Sequence, residues 1–266
     1  MRRHPWLAWL LMLAPAATPA TGRSADPARP VRLGVLAYRG ADDARRRWQP
    51  TADYLTAQIP GHTFAIVPLA WDAIAPAVER HDVDFVATSP ANYVALEALF
   101  GAARIATLVR ERHGVICKSY GAIIFARADR DDIRTLKDLR GKTFRAADAE
   151  SFGGWWMALR ELLERDLDPL RDFAALRFGG NQDTVVLDVR DGRADAGTVR
   201  DDDLERMANE GQIDPATFRI LNRQPLTPEY PFARSTRLYP EWPLATLKGT
   251  PDELAQEVAV ALLKMP

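Results

Sequence analysis

The chain has 266 residues, a formal net charge of −1 and a single cysteine, Cys117. That balance gives no general affinity for nucleic acid, one cysteine cannot close an intramolecular disulfide, and the length suits two modest lobes or one large domain. Residues 1–22 are read as a secretory signal peptide: Met1-Arg2-Arg3 is basic, Leu7 to Ala14 is apolar, and Pro15 to Gly22 is small and Pro/Ala-rich, with cleavage near Ala20. The apolar run is short for a membrane span, and no later segment is longer.

After a polar leader (Ser24 to Pro30), Val31 to Tyr38 alternates as a strand and Gly40 to Asp43 is expected to be a loop. Trp48, Ala52, Leu55 and Ile59 mark an amphipathic helix stopped by Pro60-Gly61. Phe64 to Leu69 is the next strand, Ile74 and Val78 lie on a short helix, and Val83 to Thr88 is a third strand. Ser89-Pro90 opens another helix, with proline suited to the first turn. Strand and helix alternate throughout, which predicts α/β layers around a mostly parallel sheet.

A second series starts near Tyr120. G-A-I-I-F-A-R reads as a buried strand, T-L-K-D-L-R-G as a short helix capped by Gly141, and K-T-F-R-A-A-D as a strand. It leads into A-E-S-F-G-G-W-W (Ala149 to Trp156) and a helix with Leu159, Leu162 and Leu163 on one face and Glu161 four residues from Arg165. A-L-R-F-G-G is a further strand. Asp183 is expected to cap the next helix, whose inner face is Val185, Val186 and Val189. A-D-A-G-T-V ends at Arg200 and three aspartates, and Phe218 to Asn222 is a last short strand. Gln224 to Pro243 is rich in proline and aromatics, and Asp252 to Leu263 resumes as a helix.

Three strand ends carry candidate chemistry. At Ser151 to Trp156 a helix begins with glycines, so an oxyanion can meet the Ser151 hydroxyl and the amides of Phe152 to Gly154, with the tryptophans as a wall; a glycine turn packed against neighbours is the alternative. Phe178 to Asp183 repeats that arrangement. Arg200 is either a bidentate cation for an oxyanion or a surface arginine balanced by Asp201, Asp202 and Asp203. His4, His62, His81 and His113 lack metal-ligand spacing, and no nucleophile elbow, phosphate loop or dinucleotide fingerprint is present, so neither metal nor cofactor is expected. Cys117 reads as a buried thiol, and Glu150 as a strand-end acid.

The runs V-D-F-V-A-T-S-P-A-N-Y-V, S-Y-G-A-I-I-F-A-R-A-D, L-K-D-L-R-G-K-T-F, E-S-F-G-G-W and G-G-N-Q-D-T-V-V-L-D-V-R-D-G-R-A-D-A-G-T-V-R resemble the phosphate/phosphite/phosphonate (PhnD-like) periplasmic binding proteins from Val31 onward. Within that superfamily, T-V-R-D-D-D-L-E-R-M-A, F-R-I-L-N and F-A-R-S-T-R-L-Y-P-E-W-P are similar to the extracytoplasmic input domain of tetrathionate-sensor histidine kinases. The resemblance implies a two-lobe α/β periplasmic-binding-protein fold of type 2, with a mixed, mostly parallel sheet in each lobe and a ligand cleft between them. Lobe one would comprise residues 31–113 and 225–266, incomplete at its C-terminus, and lobe two residues 114–224. Tyr38, Tyr93, Tyr120, Ser151, Gly153, Gly154, Asn181, Gln182 and Arg200 fall at the family's site positions, although Phe152-Gly153 and Asn181-Gln182-Asp183 depart from the phosphonate binders' usual runs and Arg200 stands where they often have a small or acidic neighbour.

The function implied is non-catalytic capture of a small oxyanion, tetrathionate or thiosulfate, in the periplasm. A membrane-anchored kinase part, in a homodimeric sensor, is the expected partner. The alternative is a phosphonate or phosphate substrate-binding protein serving an ABC permease, with an enzyme on the same fold as a lesser possibility. A lipid anchor is not expected, since Cys117 lies outside the leader.

Overall fold

The computed structural model describes residues 29–265, so the signal peptide read at residues 1–22 lies outside the described residues. The first lobe runs β1 (Val31–Leu36), α1 (Ala41–Gln58), β2 (Phe64–Leu69), α2 (Ile74–Glu79), β3 (Phe85–Ala87), α3 (Pro90–Phe100) and β4 (Ala103–Thr107). A hairpin, β5 (Arg110–Arg112) and β6 (Val115–Cys117), and a short β7 (Ser119–Tyr120) lead to the second lobe. That lobe holds β8 (Ala122–Arg127), β9 (Thr143–Arg145), α4 (Met157–Leu163), α5 (Pro169–Asp172), β10 (Ala175–Arg177), α6 (Gln182–Arg190), β11 (Ala196–Arg200), α7 (Asp203–Asn209) and β12 (Phe218–Leu221). The chain returns through β13 (Tyr239–Pro240) to β14 (Pro243–Thr246) and α8 (Asp252–Leu263).

Each lobe is a five-stranded mixed sheet, ordered β2-β1-β3-β14-β4 and β10-β9-β11-β8-β12. The β1, β2 and β3 strands are parallel, and β14 enters antiparallel between β3 and β4. In lobe two β9, β10 and β11 are parallel, while β8 runs antiparallel to β11 and β12. Apolar clusters form around both sheets, as expected when helices cover the faces of parallel strands. Leu244, Leu254, Ala255 and Val258 of the returning segment belong to the lobe-one core beside Leu33, Leu55 and Phe85.

Local signals explain most boundaries. Ser89 caps α3 by accepting the Asn92 amide at 3.4 Å, Pro90 sits in the first turn, and Gly101 ends the helix at φ 69°. Two expectations shift. Residues 41–43, expected as a loop, already form the first turn of α1, where Asp42 and Asp43 face the positive end of the dipole. The cap of α6 is Asn181, whose side chain accepts the Thr184 amide at 3.0 Å; Asp183, expected in that role, lies two residues on, within the first turn, and is ion-paired instead.

The lobes are joined by two crossing segments. Tyr120 pairs with Tyr239 and Ser119 with Pro240, while the Leu108 amide donates to the Trp242 carbonyl at 2.8 Å. Residues 222–237 stay with lobe two: the Ser235 amide donates to Ala122, and its hydroxyl accepts the Ile124 amide at 2.8 Å. The chain therefore re-enters the lobe-one sheet at β14, later than the sequence boundary at 225. Aperiodic residues 224–238 form side-chain hydrogen bonds and aromatic contacts rather than a strand, which periodicity does not register.

Candidate functional site

The end of β11 delivers Arg200 into the space between the lobes. Its Nε donates to Asp202 at 2.8 Å, its two Nη atoms engage Glu241, and its guanidinium lies 3.8 Å over the Tyr120 ring. Burial opposes the charge, but Asp202 and Glu241 outweigh it and hold Arg200 well above the ordinary arginine value. Tyr120 is itself buried, which pushes its phenol upward.

This packing accounts for the glycines between Phe152 and Trp155. Residues Phe152–Trp156 form a π-helical turn, closed by the Trp156 amide on the Ser151 carbonyl at 3.1 Å. A Cβ on Gly153 would come within 3.0 Å of the Tyr120 ring, and one on Gly154 within 2.8 Å of Ser151 Oγ. Ser151 Oγ accepts the Gly154 amide at 3.1 Å, and Gln182 Oε1 accepts the Arg200 amide. The glycine turn thus admits Tyr120 and Arg200 as close neighbours, while the Phe152 and Gly153 amides have no acceptor among the described residues.

On the lobe-one side of Arg200 lies a cavity of about 200 Å³ lined by Tyr38, Arg47, Trp48, Arg110, Arg200 and Trp242, with Thr51 and Leu108 completing it. Three guanidiniums converge here, and no carboxylate is among the lining residues. Tyr38 accepts a hydrogen bond from Arg47 at 2.6 Å and stands edge-on to Trp242 at 5.5 Å. Burial raises the Tyr38 phenol, so it remains neutral at ordinary pH.

A second chamber, of about 310 Å³, opens on the other side of Arg110 and Arg200, between the β5–β6 hairpin and α7. Its wall carries Asp201, Asp202, Glu205, Glu210 and Glu241 beside Arg112 and Arg206. Asp202 ties the chambers together by accepting from Arg200 and pairing with Arg110 at 2.7 Å. Burial raises Asp202, yet Arg200, Arg110 and Arg112 prevail and hold it well below the carboxylate range. Asp201 and Asp203 are pushed up to about 6, first by burial and then by the Asp202 charge. Across the lobes, Arg39 reaches Asp183 at 3.1 Å and Glu210 at 3.4 Å.

Of the nine residues expected from sequence, Tyr38 and Arg200 line the basic cavity, and Tyr120, Gly153 and Gln182 contact Arg200 from behind. Ser151 and Gly154 complete that support. Tyr93 donates to Glu97 at 2.7 Å, and Asn181 is occupied as a cap; neither lines the cavity. The tryptophans expected as an aromatic wall turn elsewhere: Trp155 packs on Phe144 and Phe178 in the lobe-two core, and Trp156, 47% exposed, donates to Ala149. Trp48 and Trp242 take that place. The aspartates after Arg200 are half-buried to buried rather than surface counter-ions, while Glu150 is exposed.

Arg47, Arg110, Trp242 and Glu241 were missed as site residues. Their signals, R-R-R-W at residues 45–48, R-E-R at 110–112 and E-W at 241–242, are short and charged and look like solvated faces. Cys117 is buried against Tyr230 and Phe232, and burial raises its thiol. No group of three or more His, Cys, Asp or Glu with metal-holding geometry occurs among the described residues, and no helix among them is long and apolar enough to cross a membrane.

Comparison with known proteins places this architecture. The chain is 39% identical over 236 residues to the tetrathionate sensor histidine kinase TtrS of Salmonella typhimurium, covering 88% of this chain and 39% of that protein. It is 23% identical over 221 residues to the phosphate-import protein PhnD of Mycolicibacterium smegmatis, covering 79% of this chain and 68% of that one. The fold superposes on PhnD1 of Prochlorococcus marinus in complex with methylphosphonate with a TM-score of 0.69 at 14% identity, over 90% of this chain and 85% of that one. The description "ABC transporter, phosphonate, periplasmic substrate-binding protein" matches residues 33–266, so the chain belongs to the phosphonate-type periplasmic substrate-binding protein family.

Proposed function

We propose that the chain is an extracytoplasmic receptor for a small sulfur oxyanion, tetrathionate or thiosulfate, and serves as the input module of a two-component sensor kinase. The observation that carries this reading is the convergence of Arg47, Arg110 and Arg200 with Tyr38, Trp48 and Trp242 on one carboxylate-free cavity. At about 200 Å³ it is smaller than the roughly 300–1,000 Å³ typical of drug-sized ligands. Guanidiniums suit terminal oxygens, and aromatic rings suit a polarizable sulfur chain. Arg200 already spends its donors on Asp202 and Glu241. It therefore offers charge more than a free fork, which favours a weakly basic, diffuse anion over a compact phosphonate. The 39% identity to a tetrathionate sensor over most of this chain supports the same choice.

Capture would proceed by closure of the lobes over the anion, with no covalent step; the free Phe152 and Gly153 amides would add donors if the lobes shift. In a homodimeric, membrane-tethered parent, that closure would bias the kinase. The second reading is a phosphonate- or phosphate-binding protein of an ABC transporter, favoured by the family and by the resemblance to a phosphate-import protein. Isothermal titration and thermal-shift measurements with tetrathionate, thiosulfate, methylphosphonate and phosphate separate the two. Saturable binding of a sulfur oxyanion is expected, with about 2.7 kcal/mol of stabilisation at a hundredfold excess over Kd. Stabilisation by methylphosphonate or phosphate alone would overturn the ligand assignment.

A further inference from the structure

Asp201, Asp202 and Asp203 stand in a row where β11 meets α7, directly behind the two arginines that both chambers share. Asp201 is 4% and Asp203 2% exposed, and in each only one carboxylate oxygen is satisfied. Asp201 Oδ2 accepts the Gly121 amide at 3.0 Å and the Tyr230 hydroxyl at 2.5 Å; Asp203 Oδ1 accepts from Arg206 at 2.8 and 3.1 Å. Asp201 Oδ1 and Asp203 Oδ2 have no hydrogen-bond partner among the described residues, and the nearest cation to Asp201 Oδ1, Arg112 Nη1, stands at 3.9 Å. An ionised buried oxygen without a donor costs more than the same oxygen carrying a proton, because the charged form loses the larger hydration energy.

The surroundings of both groups lean the same way. Asp201 faces Arg112 of β5 at 3.9 Å, Tyr230 of the return segment, the Cys117 thiol of β6, and Arg200 and Asp202 on its own strand end. Asp203 faces Arg206 of α7, Arg200, Asp202 and, across the cleft, the Tyr38 phenol. Arg200 is the cation common to both carboxylates, and it lines the basic cavity. An anion placed against Arg110 and Arg200 adds negative potential at this row and offsets the field that keeps its carboxylates ionised.

We propose that anion capture in the basic cavity is coupled to uptake of a proton by Asp201 or Asp203, so that the chain holds its anion more tightly as pH falls. This deepens, and rests on, the reading of that cavity as an anion site. In the free chain burial, and after it the Asp202 charge, push the Asp201 and Asp203 carboxyls up to about 6. A bound anion raises them further, so the complex carries more protons than the free chain. The gain in affinity is complete below the free-state value and is lost above the bound-state value. Each unit of displacement corresponds to about tenfold in affinity.

The test uses tetrathionate, thiosulfate and methylphosphonate as probes, titrated calorimetrically from about pH 5.5 to about pH 8 in buffers of different ionisation enthalpy. Carboxyl-carbon NMR of the free chain gives the Asp201 and Asp203 midpoints directly. Expected are midpoints near 6, net proton uptake near neutral pH, affinity rising about tenfold across the range, and a flatter profile in Asp201→Asn and Asp203→Asn. Free-state midpoints in the ordinary aspartate range, saturable binding without proton uptake, or variants that lower affinity equally at every pH would each overturn the coupling. Proton uptake with methylphosphonate alone, lost in Asp201→Asn and Asp203→Asn and so not due to the phosphonate's own second ionisation, would sustain the coupling and overturn the sulfur assignment; uptake unchanged in both variants would overturn the coupling, and no saturable binding by any probe removes both.

Discussion

The two chambers that share Arg110 and Arg200 differ in what balances those cations. On the lobe-one side the wall is arginine and aromatic, with no carboxylate. On the hairpin side six Asp and Glu residues stand against Arg112 and Arg206, and the charges are largely consumed within the protein. The same pair of arginines is therefore ion-paired toward one side and meets an aromatic, carboxylate-free wall on the other. An inventory of charges alone, near zero over the whole chain, hides this asymmetry.

The largest effect expected to break the comparison comes from Arg200→Ala. It strands Glu241, whose side chain is 1% exposed, and removes one of the two close arginine partners of Asp202. A loss of about 3–5 kcal/mol of stability is expected in urea denaturation. An unchanged midpoint would mean that these carboxylates reach water more easily than their burial implies.

Next come paired variants that separate the chambers. Arg47 lines only the basic cavity and its side chain is 37% exposed, so Arg47→Ala should weaken oxyanion binding by about 1–2 kcal/mol with little change in stability. Arg112→Ala, in the other chamber, removes contacts to Glu205 and the Phe232 ring and should lower stability while leaving affinity within about twofold. Calorimetry and denaturation on both variants read this crossover. The reverse pattern would move the anion site to the hairpin side.

A pH series sharpens the contrast further. Burial and the Asp202 charge push Asp201 and Asp203 up to about 6 in the folded chain, above the unfolded value of about 3.9, so the stability tied to their protonated forms is full below about pH 4 and fades as pH rises through about 6. Asp202 and Asp172, depressed by their arginines against burial, act in the opposite sense and lose stability at more acid pH. Denaturation midpoints should therefore peak in mildly acid solution, with a gain on the order of 1 kcal/mol between about pH 7.5 and about pH 5.5. A monotonic fall over that interval would show that other groups dominate.

The smallest effect concerns the bridge from Arg39 to Asp183 and Glu210, which links the lobes at side chains 16–36% exposed. Arg39→Ala should cost about 0.2–1 kcal/mol of closure free energy, seen as a modest loss of anion affinity and a larger radius of gyration in solution scattering. Restoration by Asp183→Arg in an Arg39→Asp background would establish the pair as a latch.

Much of the fold was legible in order of chain. Val31 to Leu36, Phe64 to Leu69 and Ala122 to Arg127 read as strands from their apolar runs, and Ser89-Pro90 marked the start of α3. The site was legible only in part. Ser151, Gly153, Gln182 and Arg200 were marked as strand-end or helix-start residues, yet the glycines serve the approach of Tyr120 and Arg200 within lobe two. Arg47 was passed over because one charged residue on a helix face looks like any other solvated one.

What the sequence by itself determined was the alternation of strands and helices, the two successive series and the family. These depend on short-range periodicity, caps and motif order, which are written in neighbouring residues. Only the tertiary structure decided which cations meet. Arg47 on α1, Arg110 at the first crossing, Arg200 at the end of β11 and Trp242 at the second crossing share a cavity because the chain passes twice between the lobes. The carboxylates of Asp202 and Glu241 are likewise assigned to one face of those arginines by packing. Charge neutralisation acts through space, at distances that residue order does not encode.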